Sequence, residues 1–290
     1  MFRIFTDTSA NLDTATLASA ELRVLPFTFT CDGVEQTCSD LSTFDDVAFY
    51  ETMRRGALVT TSQITPQTYF DAFRPTLEEG IDVLFVSMSS GISGSFASSQ
   101  IAAQELKEEF PDRTILLCDT LGASLGEGLL VLDAVACQKQ GLSIEQTHAY
   151  LEEKKQRMCQ VFTVDDLRYL RRTGRLSAIK AGIAAILHIR PILKGDTEGR
   201  IVCFAKTRGR QNAIEELARQ YAAFVQDAAS QTVGIAHADC EQDALLLAEK
   251  LKAAAAPKDV MIVPYEPVTG SHVGPGTLAL FFFGSADFRK

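Results

Sequence analysis

The sequence of 290 residues contains no tryptophan, only four histidines and no pair of cysteines spaced as C-x-x-C. The histidines, at positions 148, 188, 237 and 272, lack the spacing of zinc ligands, so we predict no metal site. The seven cysteines are scattered and odd in number, which favours reduced thiols and a cytoplasmic protein. Neither a G-x-x-x-x-G-K-[ST] loop nor a G-x-G-x-x-G turn opening a helix is present, which excludes the common nucleotide-binding motifs.

Basic charge and long apolar runs are also scarce. The chain has 28 basic and 37 acidic residues, a net charge of −9, whereas nucleic-acid binding needs a basic surface. The apolar runs, such as Leu278–Phe283, are far shorter than the ~20 residues of a membrane span. The segment Met1–Phe5 turns polar at Thr6, unlike the apolar core of a signal peptide. We therefore expect neither a nucleic-acid partner nor stable membrane insertion.

Short apolar runs alternate with longer segments of helical pattern. The continuous apolar run Val83–Val86 is typical of a buried strand in a parallel sheet. Two strands, Arg23–Thr30 and Val34–Cys38, flank an Asp-Gly pair that predicts a hairpin. The alternation predicts an α/β protein with mainly parallel sheets, and a change of pattern near residue 158 predicts two α/β domains, 1–158 and 159–290.

Three polar segments precede or follow the predicted strands and helices. Thr60–Gln63 precedes a helix start at Thr65-Pro66, and Ser271–Gly276 precedes the last strand. Ser87–Ser95 follows a buried strand and holds five serines and two glycines in nine residues. In open α/β sheets ligands bind at the carboxyl ends of strands, where hydroxyls and helix N-termini suit an anion. These three segments contain few charged side chains, which favours a ligand with a single carboxylate or phosphate group.

Each polar segment also has a purely structural interpretation. Serine and threonine before a helix commonly serve as caps, Gly274–Gly276 fits a tight turn, and His272 fits a hydrogen-bonded loop residue. Gly91–Gly94 falls one residue short of the G-x-S-x-G nucleophile elbow, so a hydrolase or transferase using Ser93 and His272 is an alternative. A phosphate-binding or sugar-binding module is a third interpretation. The residues alone predict an α/β protein with a set of anion-binding loops.

Taken in order, these segments and several others resemble the DegV family of bacterial proteins. The matching pieces are Phe5–Ser9, Thr61–Gln63, Ser90–Ser95, Asp119-Thr120, Leu167–Leu170, Gly174–Ser177, Arg190–Leu193, Lys206 with Arg208, and His272–Gly276. Two positions depart from the family pattern. Ile64 stands where the family usually has proline, and Ser95 replaces a threonine but keeps the hydroxyl.

The resemblance implies a two-domain fold with a lipid tunnel between or beside the domains. Such proteins are similar to the fatty-acid-binding subunit of bacterial fatty acid kinase, a system of phospholipid metabolism. That subunit is not itself catalytic; it presents a long-chain fatty acid to a separate kinase subunit, which makes acyl-phosphate. The implied carboxylate site comprises Thr61, Ser62, Ser93, Gly94, His272 and Arg208. Arg210 lies two residues further on, which leaves open which arginine acts near the head group. The resemblance implies no cofactor.

A bound tail needs an apolar lining, and a kinase subunit needs a docking surface. We expect the lining from Ile179–Leu193, which overlaps a predicted helix Ser177–Leu187, and from Phe281–Phe283 and the edges of Val83–Val86, with the head near the surface. Four arginines fall within eight residues: Arg168, Arg171, Arg172 and Arg175. They form either a solvated helix face or a docking surface, with Arg168, Arg171 and Arg172 as its contacts.

Overall fold

The computed structural model describes residues 1–37, 41–176 and 189–290, so the predicted helix Ser177–Leu187 lies outside the described residues. The strands are β1 (Phe2–Asp7), β2 (Arg23–Leu25), β3 (Thr28–Cys31), β4 (Val34–Thr37), β5 (Val59–Ser62), β6 (Asp82–Ser87), β7 (Ile115–Asp119), β8 (Met158–Thr163), β9 (Ile189–Gly195), β10 (Ile201–Arg208), β11 (Thr232–His237), β12 (Asp259–Pro264) and β13 (Leu278–Phe283).

The helices lie between these strands. They are α1 (Thr14–Ser19), α2 (Asp46–Arg54), α3 (Pro66–Glu78), α4 (Ser95–Glu109), α5 (Leu125–Lys139), α6 (Ile144–Lys154), α7 (Arg168–Arg172), α8 (Arg210–Phe224), α9 (Glu241–Ala254) and α10 (Pro267–Val273). Short 3₁₀ turns occur at Thr8–Ala10, Leu41–Thr43, Lys155–Arg157, Ala228–Ser230 and Ala286–Arg289. In this part of the chain no helix has the length and apolar character needed to cross a membrane.

The first sheet has four parallel strands in the order β2-β1-β6-β7. Strand β6 contains the predicted run Val83–Val86, and all four of these residues are fully buried, as predicted for a parallel strand covered on both faces. Helices α3 and α5 both pack against it. Helices thus pack against this strand, and its carboxyl end at Ser87 leads into the loop before α4.

A second, small sheet has the antiparallel order β4-β3-β5. The predicted hairpin is confirmed: Asp32 and Gly33 take the positive φ angles of 48° and 83° that its turn requires. The single strand predicted over Arg23–Thr30 is wrong. It is two strands in different sheets, because Pro26 has no N–H to continue a ladder.

The third sheet has six strands in the order β10-β9-β8-β13-β11-β12. Only β11 and β12 pair in parallel; the other described pairs of this sheet are antiparallel. The α/β class is confirmed, but the expectation of mainly parallel strands is wrong for this sheet. A parallel crossover needs a dozen or more residues. The β9–β10 turn is much shorter, and the last strand enters the middle of the sheet.

The central strands of the third sheet, β8 and β13, are buried on both faces, whereas the edge strand β10 is partly exposed. Along β8 and β13, Phe162 and Phe281 belong to the same apolar cluster as the core of the first sheet. Their neighbours Val161, Leu280 and Phe282 point the other way, into a cluster with helices α8 and α9. The predicted domain boundary at residue 158 falls where β8 begins and stays a prediction.

Phe282 tests the packing of this central strand. Its side chain is fully buried, with ring centroids 5.2 Å from Tyr221 and 6.0 Å from Phe288. We expect Phe282→Ala to lower the free energy of unfolding by about 3–5 kcal/mol, measured by urea titration. Phe204→Ala, at a residue 39% exposed, is the control and should cost under ~1 kcal/mol. Equal losses in the two variants would contradict the described core.

Candidate functional site

A cavity lies where the apolar face of β8 and β13 meets the first half of the chain. Phe162 and Phe281 line it from the third sheet, and Phe27, Met88 and Val268 line it from the facing elements. It leaves about 80 Å³ for the centre of a water-sized sphere, several times the ~10–15 Å³ that one water molecule needs. The site is therefore an apolar space with a real internal volume.

Besides Ser124, Gln160 and Thr269, the lining has a group of polar residues linked by short contacts. Thr61 bonds to His272, Arg175 bonds to the carbonyl of Ile92 beside Ser93, and Ser93 is linked through Ser95 to the segment after Gln63. The residues of this group come from four segments far apart in sequence: Thr61, Ser62 and Gln63, Ser93, Arg175, and His272. The structure thus brings together four of the six predicted carboxylate-site residues, Thr61, Ser62, Ser93 and His272.

Thr61 and His272 form a direct hydrogen bond across the site. Thr61 lies on β5 opposite Phe29, and its Oγ1 is 2.8 Å from Nε2 of His272. Thr61 and Ser62 are thus strand residues. Capping of the following helix is performed instead by Thr65, whose hydroxyl accepts from the N–H of Thr68 at 3.2 Å. The capping interpretation of Thr60–Gln63 is wrong, whereas the helix start predicted at Thr65-Pro66 is confirmed.

His272 lies in the last turn of helix α10, a segment that the sequence analysis treated as a loop. The helix starts at Pro267 behind the cap Glu266, whose carboxylate accepts the N–H groups of Val268 and Thr269 at 2.5 and 2.6 Å. A Glu-Pro pair is a helix-start signal that could have revealed α10. Gly270 obscures this helix in the sequence, because glycine is unfavourable inside a helix. Here the glycine allows close packing: a Cβ at position 270 would lie 2.1 Å from Tyr50 Oη.

The surroundings of His272 keep its ring neutral. Burial, together with the positive charges of Arg175 and Arg172, lowers the pKa of His272 to about 4. Among the described residues its buried Nδ1 has no hydrogen-bond partner. At neutral pH the ring is therefore an uncharged donor or acceptor in a region of positive potential, which favours an anion nearby.

Ser93 lies in the loop between β6 and α4. Its hydroxyl accepts the N–H of Ser95 at 3.2 Å and lies 3.1 Å from the hydroxyl of Ser95. Ser95 in turn accepts the N–H of Ile64 at 3.2 Å, which ties this loop to the segment after β5. The N-cap position of α4 is Gly94, which has no side-chain cap, so Ser93 lies one residue before the cap position; Ser93 also lines the cavity.

Gly94 does not itself line the cavity in the described structure. A Cβ at this position would lie 2.1 Å from Oε1 of Gln63. Gly94 therefore allows the side chain of Gln63 to reach the lining, which is a different role from the predicted contact with a carboxylate.

Neither predicted arginine of the head group lines the described cavity. Arg208 is exposed at the end of β10, where side chains alternate between the two faces of the strand. The guanidinium of Arg210 is occupied: it pairs with Asp243 at 2.8 Å and Asp165 at 3.2 Å, and it donates to the carbonyl of Gly276 at 2.7 Å.

The arginine that does line the cavity is Arg175. Its Nε donates to the carbonyl of Ile92 at 3.2 Å, and it forms no ion pair with an acid of the described residues. The sequence pattern groups Arg175 with the surface arginines of α7. The available signal was Gly174, which ends that helix with a φ of 72° and separates Arg175 from the helix face.

The predicted apolar lining is found only in part. Phe281 lines the cavity, whereas the strand Val83–Val86 is buried beneath it and contributes no lining residue. Of the expected stretch Ile179–Leu193, residues 179–188 lie outside the described residues. The neighbouring Gly195 and Gly199 take part instead, at the turn between β9 and β10.

The hydrolase alternative requires a nucleophile, a base and an acid in line. In the described structure Ser93 bonds to Ser95, whereas His272 bonds to Thr61, and no carboxylate orients Nδ1 of His272. The described residues likewise contain no group of histidine, cysteine, aspartate or glutamate side chains placed to hold a metal ion. This arrangement suits the binding of an anion better than acyl transfer.

The surface arginines lie beside the polar end of the cavity. Arg168, Arg171 and Arg172 are exposed on α7, and Arg168 pairs with Asp166 at 2.7 Å. The guanidinium of Arg172 lies 5.5 Å from the ring centroid of Tyr169. That ring packs on Gly274, two residues after His272, where a Cβ would lie 2.3 Å from the ring.

The pKa of His272 predicts a stability change in acid. The unfolded chain protonates this histidine below its ordinary value of 6.5, whereas the folded protein keeps it neutral down to about 4. The unfolded state therefore binds more protons in this interval, and stability falls as the pH falls. Between about pH 7.5 and about pH 5 we expect the wild type to lose about 2 kcal/mol more than His272→Gln, measured by urea unfolding. Parallel losses in the two proteins would show that His272 is not buried as described.

Comparison with known proteins agrees with this architecture. The profile described as "Uncharacterised protein, DegV family" matches residues 1–285. A DegV domain-containing protein of Clostridium perfringens is 38% identical over 283 residues, covering 98% of this chain and 97% of the relative. A fatty-acid-binding DegV family protein from Thermus thermophilus superposes with a TM-score of 0.88 at 28% identity, covering 98% of this chain and 99% of that one. The fatty acid binding protein DegV from Bacillus subtilis gives a TM-score of 0.82 at 28% identity, with the same coverage. The chain described above therefore belongs to the DegV family.

Proposed function

We propose that this protein binds a long-chain fatty acid in the cavity and presents its carboxylate to a separate kinase subunit, which forms the acyl-phosphate. The observation that carries the proposal is an apolar cavity with Thr61, Ser93 and His272 grouped at one part of its lining. The fatty-acid-binding relatives from Thermus thermophilus and Bacillus subtilis support the ligand class. In this proposal the protein is cytoplasmic, where the kinase subunit finds ATP, and has two domains, 1–158 and 159–290.

The tail supplies the binding free energy. Each buried methylene contributes about 0.8 kcal/mol, so a tail of about 14 methylenes gains roughly 11 kcal/mol before costs. Immobilising the tail and the whole molecule returns several kcal/mol of this gain. The balance is still large enough for tight binding, and it depends on apolar residues such as Phe162, Val268 and Phe281 keeping water out.

The head group needs donors, because a carboxylate taken out of water without partners is costly. Thr61 and Ser93 offer hydroxyl protons, and Arg175 supplies a positive charge that no described acid neutralises. Neutral His272 with its proton on Nε2 donates to the Thr61 hydroxyl, which leaves the Thr61 proton for the carboxylate. We assign the counter-charge to Arg175 rather than to Arg208, because Arg175 lines the cavity.

A double variant tests the head-group site. We expect Thr61→Ala with Ser93→Ala to weaken binding of palmitate at least about tenfold, since hydrogen bonds to a charged group contribute about 1.5–3 kcal/mol each. Isothermal titration calorimetry measures the affinity. The matched control is Thr60→Ala with Ser90→Ala, two exposed neighbours that do not line the described cavity. Unchanged binding in the first variant would refute the proposed site.

Mass spectrometry of an organic extract distinguishes carrier from enzyme. The proposal expects a C14–C18 fatty acid to co-purify with the protein at about one per chain, because the buried tail leaves slowly. It also expects no hydrolysis of acyl esters by the protein alone. An extract without fatty acid, together with ester hydrolysis that Ser93→Ala abolishes, would favour the hydrolase alternative.

Docking of the kinase subunit is assigned to Arg168, Arg171 and Arg172 on α7, which we call the docking surface. These side chains are exposed in an acidic protein. Through Tyr169 the helix packs next to the segment that carries His272, so a partner bound here would lie close to the carboxylate. Charged surfaces of this kind set association rates and make them depend on salt.

Charge reversal tests the docking surface. We expect Arg172→Glu to reduce acyl-phosphate formation by the kinase subunit at least about tenfold at low salt, while the variant still carries fatty acid. The loss should shrink as the salt concentration rises. Arg219→Glu, at an exposed arginine on α8, is the control. If both variants support the kinase equally, the partner docks elsewhere.

A further inference from the structure

Three carboxyl groups are buried near the cavity and take no part in the function proposed above. Asp7, Glu127 and Glu266 are 1%, 0% and 1% exposed. None of them forms an ion pair with a lysine, arginine or histidine in the described structure. Glu266 caps α10, which accounts for its position. Asp7 and Glu127 need another explanation, because two adjacent buried negative charges without a cation are strongly unfavourable.

The hydroxyl of Ser9 lies between these two carboxyls. Its Oγ is 2.5 Å from Oδ1 of Asp7 and 2.5 Å from Oε2 of Glu127. Each contact at this distance needs a proton between the oxygens, and a serine hydroxyl has only one. The second proton must therefore come from one of the two acids. The pair then carries one negative charge instead of two.

The other hydrogen bonds of the two acids decide which one holds this proton. Asp7 also accepts the N–H of Ser9 at 2.9 Å and the N–H of Met88 at 3.4 Å, so its charge is stabilised by backbone donors. Glu127 accepts only the hydroxyl of Thr6, at 2.9 Å, besides its contact with Ser9. The proton therefore lies on Glu127, which donates to Ser9, and Ser9 donates to Asp7.

The electrostatics of the pair agree with this direction. Burial raises the pKa of Glu127 well above its usual range, and the neighbouring Asp7 and Glu266 raise it further. Burial also raises the pKa of Asp7, to about 6, but the hydrogen bonds from Ser9 and Met88 oppose that change. Among the described residues, the phenol of Tyr69 on α3 also faces the pair, and it adds no positive charge.

The pair is connected to the candidate ligand site through Met88. This residue lines the cavity, and it begins the loop that carries Ser93. Its backbone N–H is held by the second oxygen of Asp7. On the other side, Glu127 belongs to α5, and Ser9 and Asp7 belong to the first strand and the turn after it. The chain Glu127–Ser9–Asp7 thus joins helix α5 to the base of the Ser93 loop.

We propose that Glu127 is a neutral carboxylic acid in the folded protein and that, with Ser9 and Asp7, it positions the Met88 end of the loop for ligand binding. Loss of the proton would place two negative charges on either side of one hydroxyl. The positioning part rests on the proposed function, because its readout is fatty acid binding. The protonation of Glu127 does not rest on the proposed function, because it is measured without a ligand.

Infrared spectroscopy tests the protonation. At about pH 8, above the value of about 7 to which burial raises the pKa of Glu266, we expect a C=O stretching band of a protonated carboxyl group in the wild type. The band should be absent in Glu127→Gln, an uncharged variant of nearly the same shape. The matched control is Asp133→Asn, a partly buried acid on the same helix that pairs with Lys154 at 2.8 Å, and it should keep the band. Identical spectra for wild type and Glu127→Gln would overturn the assignment.

Palmitate binding tests the positioning. Asparagine at position 7 has one acceptor oxygen where the carboxylate has two, so either Ser9 or Met88 then faces an NH₂ group. We expect Asp7→Asn to bind palmitate roughly tenfold more weakly, Ser9→Ala several-fold more weakly, and Asp133→Asn within about twofold of the wild type. Wild-type affinity in folded Asp7→Asn or Ser9→Ala would overturn the positioning role. If the wild type itself fails to bind palmitate, the proposed function fails, while the infrared result still decides the state of Glu127.

Discussion

The central strands β8 and β13 of the six-stranded sheet are buried on both faces, and the arrangement of the chain around them follows from this constraint. Strands β8 and β13 place Phe162 and Phe281 on one side and Val161 and Leu280 on the other. Helices α8 and α9 cover the second side. The first side is covered by elements from the first half of the chain together with helices α7 and α10, which do not fill it completely. The cavity is the remaining space, so an apolar ligand would complete the burial that the sheet requires.

Negative charge arises at two places near this cavity, and it is stabilised in a different way at each. A ligand carboxylate would meet the hydroxyls of Thr61 and Ser93 and the positive potential of Arg175, so it can stay charged. The buried pair of Asp7 and Glu127 forms no ion pair with a cation of the described residues, and a proton removes one charge instead. The positive charge of Arg175 thus lies at the ligand site, whereas the buried pair of Asp7 and Glu127 keeps a single negative charge.

Local signals predicted the local structure. The apolar run Val83–Val86, the Asp-Gly turn of the hairpin and the helix start at Thr65-Pro66 are confirmed because each depends on a few neighbouring residues. The position of β13 between β8 and β11 depends on pairings with β8 across more than a hundred residues and with β11 across more than forty, which no local pattern records. For the same reason the residues alone paired Ser93 with His272 only as one of several alternatives. The family resemblance placed both at the carboxylate, and it assigned the head group to Arg208 rather than to Arg175, whose inward position depends on where α7 ends.

A crystal structure of the protein with bound palmitate tests the central claim most directly. The account predicts a tail enclosed between the β8–β13 face and Met88, and a carboxylate within hydrogen-bond distance of Thr61 and Ser93. A ligand bound elsewhere, or a cavity filled by side chains with the carboxylate away from these two hydroxyls, would contradict it.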